Sequence, residues 1–479
     1  MVPPPDNDGH DCGWKVFAKA QEAKIAELTG QLQELRRVVF GKKSEKLKSK
    51  LPPAVKPPRD PNSSKTKREA AKALWAAHLQ TEIKGVPVPP EQCTCPKCGC
   101  TELRRVGNGK PSTVYSYVQP HFRKIVYQRE TLSCRCGHIV TAPAPDRVGE
   151  KTRYSPSFIA HLIVSKCNDS IPQYRLEKAY RNIGIPMSRS TMCDLLHRSA
   201  DELRPLYDAA LRLVPQAPDV HADETTIRQL GLKGKAYLWD FVTPDLVVYR
   251  YAPSRSGDTP LQVLGDSQGR LVVDQYTGYN IVTKPGRRTR AGCLAHARRK
   301  LFEQRQYVET KEALELIREI YVVEHEAKVA GIVGTPEHLA LRQTRSRLLF
   351  ARLLCWAHRH RHAFEPRSKM GRAVNYIVKN FRALGCFLRY ASIPPDNNIA
   401  ESPLRRVALG RANFLFVGNE DSGHDFAVLY TLVASCEKHE LNPITYLNDV
   451  LTRVQSHPAS RILELLPHRW KPPNTPASD

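Results

Sequence analysis

Three acidic residues could carry chemistry in this sequence. They are Asp223 in Val220-His221-Ala222-Asp223-Glu224-Thr225-Thr226, Asp274 in Leu271-Val272-Val273-Asp274, and Glu401 in Asp396-Asn397-Asn398-Ile399-Ala400-Glu401. A carboxylate on a short apolar strand loses hydration, so acids at the ends of two separate strands need a compensating cation. Three carboxylates converging from two strands and a helix could hold two Mg²⁺ or Mn²⁺ ions about 3.5–4 Å apart, an arrangement that activates water and stabilises the leaving oxygen in phosphodiester cleavage. Taken singly, each acid also reads as a turn former or a helix cap, and Asp396 before Asn-Asn looks like an N-cap in its own right.

The intervening elements must bring these acids together. Ala236 to Val242 and Leu246 to Tyr251 flank a Thr-Pro-Asp turn and predict a β-hairpin. A short helix around Pro260 to Leu264 and a strand ending in Asp274 complete a β-β-β-α-β order. That is the order of the α/β ribonuclease-H-like fold, whose first and fourth strands are neighbours, so Asp223 and Asp274 are expected side by side. A fifth strand near Ala291 runs into a helix with His296 at the junction, where the imidazole would touch a scissile phosphate, pair with a carboxylate, or only cap the helix. Arg298, Arg299 and Lys300 follow as a candidate phosphate clamp. Residues 304–390, helical in pattern and rich in Arg and His, read as an all-α insertion placed to cover DNA. It divides the catalytic core into a first part, 216–303, and a second part, 391–425, with the third acid. Glu401 opens a helix with Arg405 four residues on, a spacing that also makes an ordinary helix-face ion pair. Residues 426–479 read as two helices broken at Asn442-Pro443 and a Pro-rich tail.

The 73 Lys and Arg against 48 Asp and Glu give a formal charge of +25, which favours a polyanionic partner, double-stranded DNA first. No stretch approaches 18 apolar residues, and no apolar core follows the initiating Met, which argues against a membrane partner and a secretory signal. The expectation is a soluble cytoplasmic protein, at the nucleoid when bound to DNA. Single cysteines such as Cys167, Cys193, Cys355 and Cys436 read as thiols of a reducing compartment.

Four units precede the core. In residues 14–50, Ile25, Leu28, Leu32, Leu35 and Val39 alternate at spacings of three and four, a short a/d seam that reads equally as a dimeric coiled coil or a surface helix. Lys42 and Lys43 then begin a cationic arm that runs into a Pro- and Lys-rich linker, 51–90, able to neutralise phosphates without reading bases. Within 91–150, Cys95 and Cys98 form one thiolate pair and Cys134 and Cys136 a second, as tetrahedral Zn²⁺ requires. The second pair is C-x-C, so Cys93, Cys100 and His138 stand as substitute ligands; the β-like alternation from Val114 to Thr131 suits a zinc ribbon. In 151–215, a helix closed by Gly184 and a second helix capped by Ser188 or Ser190 and carrying Arg189 have the outline of a helix-turn-helix DNA reader, an outline that other three-helix bundles share.

With these segments laid out, the chain resembles transposases of the insertion-sequence 66 family from about residue 25 to about residue 467. The residues that carry the resemblance are Phe40-Gly41-Lys42-Lys43-Ser44-Glu45-Lys46, the paired cysteines, His221-Ala222-Asp223-Glu224-Thr225, Ser254-Arg255-Ser256-Gly257, Cys293-Leu294-Ala295-His296-Ala297-Arg298-Arg299-Lys300, Asp396-Asn397-Asn398-Ile399-Ala400-Glu401, and Leu441-Asn442-Pro443 with Tyr446-Leu447. The resemblance implies a DDE-type transposase whose metal-binding acids match Asp223, Asp274 and Glu401. It also implies a zinc finger ahead of a helical DNA-binding segment, binding to terminal inverted repeats, a homodimer or larger complex, and accessory proteins of the same element. The chain departs from the family pattern at Ser402, where Arg is usual, and at Ala412 and Phe414 within Gly410-Arg411-Ala412-Asn413-Phe414-Leu415-Phe416. A catalytically decayed DNA-binding repressor and a structure-specific nuclease on the same fold are the competing readings.

Overall fold

The computed structural model describes residues 152–472, 122–133 and 139–142, with isolated positions at 21, 22, 25, 27–29 and 69. Ile25 and Leu28 are helical and exposed. The rest of the expected seam, Lys42 and Lys43, the linker apart from Glu69, and Cys93, Cys95, Cys98, Cys100, Cys134, Cys136 and His138 lie outside the described residues. Strands β1 (Thr131–Ser133) and β2 (Ile139–Thr141) pair antiparallel on either side of the Cys134 to Cys136 segment. The alternation read up to Thr131 does not become a strand over residues 122–130, which run without regular structure. Ile125, Val126 and Tyr127 are all exposed there, so no core selects one face of the alternation.

Three helices come next. Helix α1 (Pro156–Cys167) opens on Ser155, which accepts the Phe158 N–H, with Pro156 placed where its missing donor is no loss. Helix α2 (Gln173–Asn182) ends just before Gly184, whose φ of 80° turns the chain. Helix α3 (Arg189–Leu213) is capped by Ser188, which accepts the Thr191 N–H at 3.2 Å. The expected DNA-reading unit 151–215 is built into the wall of the core: Ile163, Met192, Leu203 and Leu206 share one apolar cluster with Val220, Phe241, Val428 and Leu447.

The sheet contains β3 (Asp219–Ile227), β4 (Ala236–Val242), β5 (Val247–Ala252), β6 (Arg270–Val272) and β7 (Thr289–Ala291) in the order β5-β4-β3-β6-β7. The hairpin β4–β5 and the pair β3–β4 are antiparallel, whereas β3–β6 and β6–β7 are parallel. The first and fourth strands of the sheet are therefore neighbours, through Val220 opposite Leu271 and His221 opposite Val272. Helix α4 (Asp258–Leu264) links β5 to β6, and α5 (Leu294–Phe302) follows β7. Then come α6 (Thr310–Val329), α7 (Pro336–Leu341), α8 (Arg347–His360), α9 (Lys369–Leu384), α10 (Asn398–Phe414), α11 (Glu420–Lys438) and α12 (Pro443–Arg453). Helix α11 begins before the expected boundary at 425/426, which falls inside it. It covers the edge strand: Thr431 Oγ1 accepts the Tyr249 N–H at 2.9 Å and Ser435 Oγ accepts the Val247 N–H at 3.0 Å. Backbone donors of a free strand edge are thereby satisfied. None of the described helices is long and apolar enough to cross a membrane.

Helices α5, α6, α8 and α9 build a second core, in which Val272 and Ala291 of the sheet meet Leu301, Ile317, Leu353, Trp356 and Ile377. A π-turn at Arg342–Ser346 begins with Arg342, which is 1% exposed. Its guanidinium bonds both oxygens of Glu324 at 2.8 and 2.6 Å and donates to the carbonyls of Phe387, Tyr390, Ala391 and Ile393 at 2.9–3.2 Å. One buried cation thus holds the return loop that delivers the chain to α10. Lys has no planar fork to replace it. Arg342→Lys should cost about 3 kcal/mol or more in a denaturant melt, because Glu324 and four carbonyls lose their donors; a midpoint within error of the parent would show that the return loop is held by other contacts.

Candidate active site

Asp223 lies on β3, the central strand, opposite Asp240 of β4. Asp240 is fully buried and its Oδ1 accepts the Asp223 N–H at 3.0 Å, while Oδ2 has no partner among the described residues. Burial first, and the charge of Asp223 second, push the Asp240 carboxyl well above the usual carboxylate range. Asp274 stands two residues past the end of β6. Its Oδ1 accepts the Tyr276 N–H at 2.8 Å, and Arg290 of β7 donates to the carbonyls of Asp274 and Tyr276, each at 2.7 Å. The strand expected to end in Asp274 ends at Val272, and the acid belongs to the turn that follows.

Glu401 is in the first turn of α10. Its Oε1 is 3.9 Å from His296 Nε2 and its Oε2 is 4.0 Å from an Arg299 nitrogen. Among the described residues those are the ion pairs its carboxylate makes, and the helix-face pair with Arg405 is not one of them. Two residues fasten α10 to β3. Asn397, 1% exposed, donates from Nδ2 to the Ala222 carbonyl at 2.8 Å and meets His221 Nδ1 through Oδ1 at 3.1 Å. Because its amide nitrogen is committed to Ala222, its oxygen accepts from His221, which fixes the Nδ1–H tautomer. Burial pushes His221 down to about 4 and keeps that ring neutral. Near the other end of α10, Arg411 donates to Thr225 Oγ1 at 2.8 Å and to the Thr226 carbonyl at 2.6 Å.

The acids are close enough to act on one another. Burial raises Asp223 to about 7, and Glu224, Asp274 and Glu401 add to the rise; the Glu224 N–H, donated to Asp223 Oδ1 at 2.9 Å, opposes it. His296, lowered mainly by burial, feels both Glu401 and Asp274, with Arg299 and Lys300 lowering it further. Arg298 stacks toward Phe302, 5.6 Å from the ring centre. Arg189 is outside this cluster, at the start of α3, where it pairs with Glu177 at 3.3 Å. Asp223, Asp274 and Glu401 are hard oxygen donors of the kind Mg²⁺ and Mn²⁺ take, while among the described residues the ligand atoms lying within 4.8 Å of one another are those of Cys293, His296 and Glu401.

Sequence reasoning passed over several contributors. Glu224 takes Arg255 on Oε1, at 2.7 Å from Nε, and Tyr279 on Oε2 at 2.7 Å. That links the Ser254-Arg255-Ser256-Gly257 segment to the central strand. Gly257 is required there, since a Cβ would meet the Gly278 carbonyl oxygen at 2.7 Å. Asn397 and Asp240 were equally hidden. The only signals in the sequence were the position of Asn397 in Asp396-Asn397-Asn398 and an acid inside the otherwise apolar run of β4.

Two outcomes follow from this wiring. Between pH 3.8 and about 7 the folded, metal-free chain keeps an Asp223 proton that the unfolded chain has released. The associated stability is full below the lower value and is lost as pH rises through the upper one. Asp223→Asn should therefore stabilise the metal-free protein at pH 8 by about 1–3 kcal/mol and flatten its pH profile across that window; a parallel profile in calorimetry would contradict the crowding. Asn397→Ala should lower stability by about 2–3 kcal/mol, since His221 Nδ1–H and the Ala222 carbonyl are left buried and unpaired; an unchanged melt would mean that α10 is held elsewhere.

Comparison with known proteins supports the family from three sides. Residues 92–137, which include Cys95, Cys98, Cys134 and Cys136, match the zinc-finger binding domain of transposase IS66. Residues 151–425 match the transposase IS66 family and 431–468 the IS66 C-terminal element. Three proteins of Sinorhizobium fredii (strain NBRC 101917 / NGR234), all named as uncharacterized, are similar along most of their length. Protein y4qI is 30% identical, with 96% of this chain and 91% of the relative aligned; y4hP is 30% identical, with 85% and 78% aligned; and y4jD is 29% identical, with 93% and 95% aligned. With Asp223, Asp274 and Glu401 inside the 151–425 match and a C-terminal element following it, this chain belongs to the IS66 family of transposases.

Proposed function

We propose that this chain is a DDE-type transposase that cuts DNA at the ends of an insertion sequence and joins them to a target, using Asp223, Asp274 and Glu401 on a ribonuclease-H-like core. The strand order β5-β4-β3-β6-β7, with β3 antiparallel to β4 and parallel to β6, supports that fold reading. The observation that carries the functional reading is the wiring of Glu401. Its helix is fastened through Asn397 to the residue next to Asp223, and the Asp223 carboxyl responds to both other acids.

Bound Mg²⁺ or Mn²⁺ would supply an activated water and neutralise charge on the reacting phosphate. The protein's share is positioning. Asp240 and the Glu224 N–H orient Asp223 from behind and beside it. Arg299 and Lys300, both exposed beside His296, offer positive charge to the scissile phosphate, and the His296 imidazole stands 3.9 Å from Glu401 Oε1. The liberated 3′-hydroxyl is then directed by the same site at a target phosphodiester. Ahead of the core, Zn²⁺ on Cys95, Cys98, Cys134 and Cys136 would stiffen the finger. Arg189 on α3 and the Lys42 and Lys43 arm would grip the terminal inverted repeats in an assembly of two or more copies, together with accessory proteins of the element.

The test uses a labelled fragment carrying the element's end, with Mg²⁺ or Mn²⁺ present or chelated. The parent should nick and join it only with the ion, and Asp223→Asn should lose at least about a thousandfold in both steps while end binding stays nearly unchanged. Binding with no metal-dependent nicking by the parent would point to a repressor. Equal cutting of branched DNA lacking the end sequence would point to a structure-specific nuclease.

A further inference from the structure

Beside the three acids lies a donor set of softer character. Cys293 just before α5, His296 in its first turn and Glu401 of α10 each present a ligating atom, and these atoms lie within 4.8 Å of one another. Cys293 is fully buried, and its Sγ accepts the Asn397 N–H at 3.3 Å. Burial pushes the Cys293 thiol up to about 11, and the backbone N–H groups of His296 and Asn397 oppose that rise. Two atoms of this cluster, His296 Nδ1 and Glu401 Oε1, are buried without a hydrogen-bond partner among the described residues.

We propose that Cys293, His296 and Glu401 form a binding site for one Zn²⁺-class ion, separate from the oxygen-donor cluster but sharing Glu401 with it. Thiolate and imidazole favour Zn²⁺ over Mg²⁺, which keeps to oxygen ligands. Zinc bonds of about 2.0–2.3 Å put neighbouring donors of a tetrahedron roughly 3.3–3.8 Å apart, so the 3.9 Å between His296 Nε2 and Glu401 Oε1 needs only a small side-chain adjustment. The fourth position is left to water. On binding, the Cys293 thiol gives its proton to solvent as the S–Zn bond forms, and no electrons are transferred. Zn²⁺ held here takes the third acid away from the Mg²⁺-dependent reaction and so acts as an inhibitor. That consequence rests on the transposase reading; the site itself does not.

Co²⁺ is the probe. The full-length protein and its Cys293→Ser and His296→Ala variants are treated with a chelator and titrated with Co²⁺, and the parent-minus-variant difference spectrum isolates this site from the finger cysteines. One equivalent should appear with a sulfur-to-cobalt charge-transfer band and tetrahedral visible bands, be displaced by Zn²⁺ and persist in excess Mg²⁺. Cys293→Ser should abolish the band, and His296→Ala should weaken binding by at least about tenfold. Identical spectra in the parent and both folded variants, or displacement by Mg²⁺, overturn the site; should Cys293→Ser fail to fold by circular dichroism, His296→Ala and Glu401→Gln provide the comparison. In the nicking assay, Zn²⁺ should inhibit the parent at concentrations that fill the cobalt site. Occupancy without inhibition overturns the sharing of Glu401, whereas a parent that binds Co²⁺ but never nicks DNA overturns the transposase reading and leaves the site standing.

Discussion

The structure depends on one constraint: like charges are brought together where water is scarce, and the backbone around them is fastened tightly enough to keep them there. Burial and the neighbouring acids hold Asp223 near 7, a cost that a folded chain tolerates only if its packing over-determines the geometry. The fastening is done by polar groups that are themselves buried or half-buried. Asn397 joins α10 to β3, Arg290 closes the turn after β6, Arg342 holds the return loop, and Asp240 holds the Asp223 amide from the next strand. Each places at least one hydrogen bond on a backbone carbonyl or amide beside an acid or on the path to one.

The same logic explains why elements distant in sequence share cores. Helix α11 satisfies the open edge of β5 through Thr431 and Ser435, and α1 to α3 close the apolar cluster beneath that edge. A second cluster links β6 and β7 to α5, α6, α8 and α9, so these four helices buttress that edge of the sheet. A disturbance in either core reaches the acids through the sheet.

Much of this was legible in the sequence because it is local. The hairpin shows in Thr243-Pro244-Asp245 between two β-rich runs, the cap of α3 in Ser188, and the break between α11 and α12 in Asn442-Pro443. The pairing of the first and fourth strands followed from element order. What was not legible depends on partners far away in the chain. An apolar face on α1 or α3 does not say what it covers, so the cluster these helices share with the sheet was not readable from them. Asn397, Asp240 and Arg342 bond across tens to hundreds of positions, and a polar residue without periodicity announces no partner. Asp274 was placed on the strand instead of just beyond it because ladder hydrogen bonds, not apolar character, decide where a strand stops.

The central claim is that folding gathers Asp223, Asp274 and Glu401 around divalent ions. Crystals of the full chain grown with Mn²⁺, with anomalous scattering recorded at the manganese edge, test it most directly. The account predicts manganese density between Asp223 and Asp274 with a Glu401 oxygen in its coordination shell; manganese absent from these acids at millimolar concentration, or bound with Glu401 turned away, would contradict it.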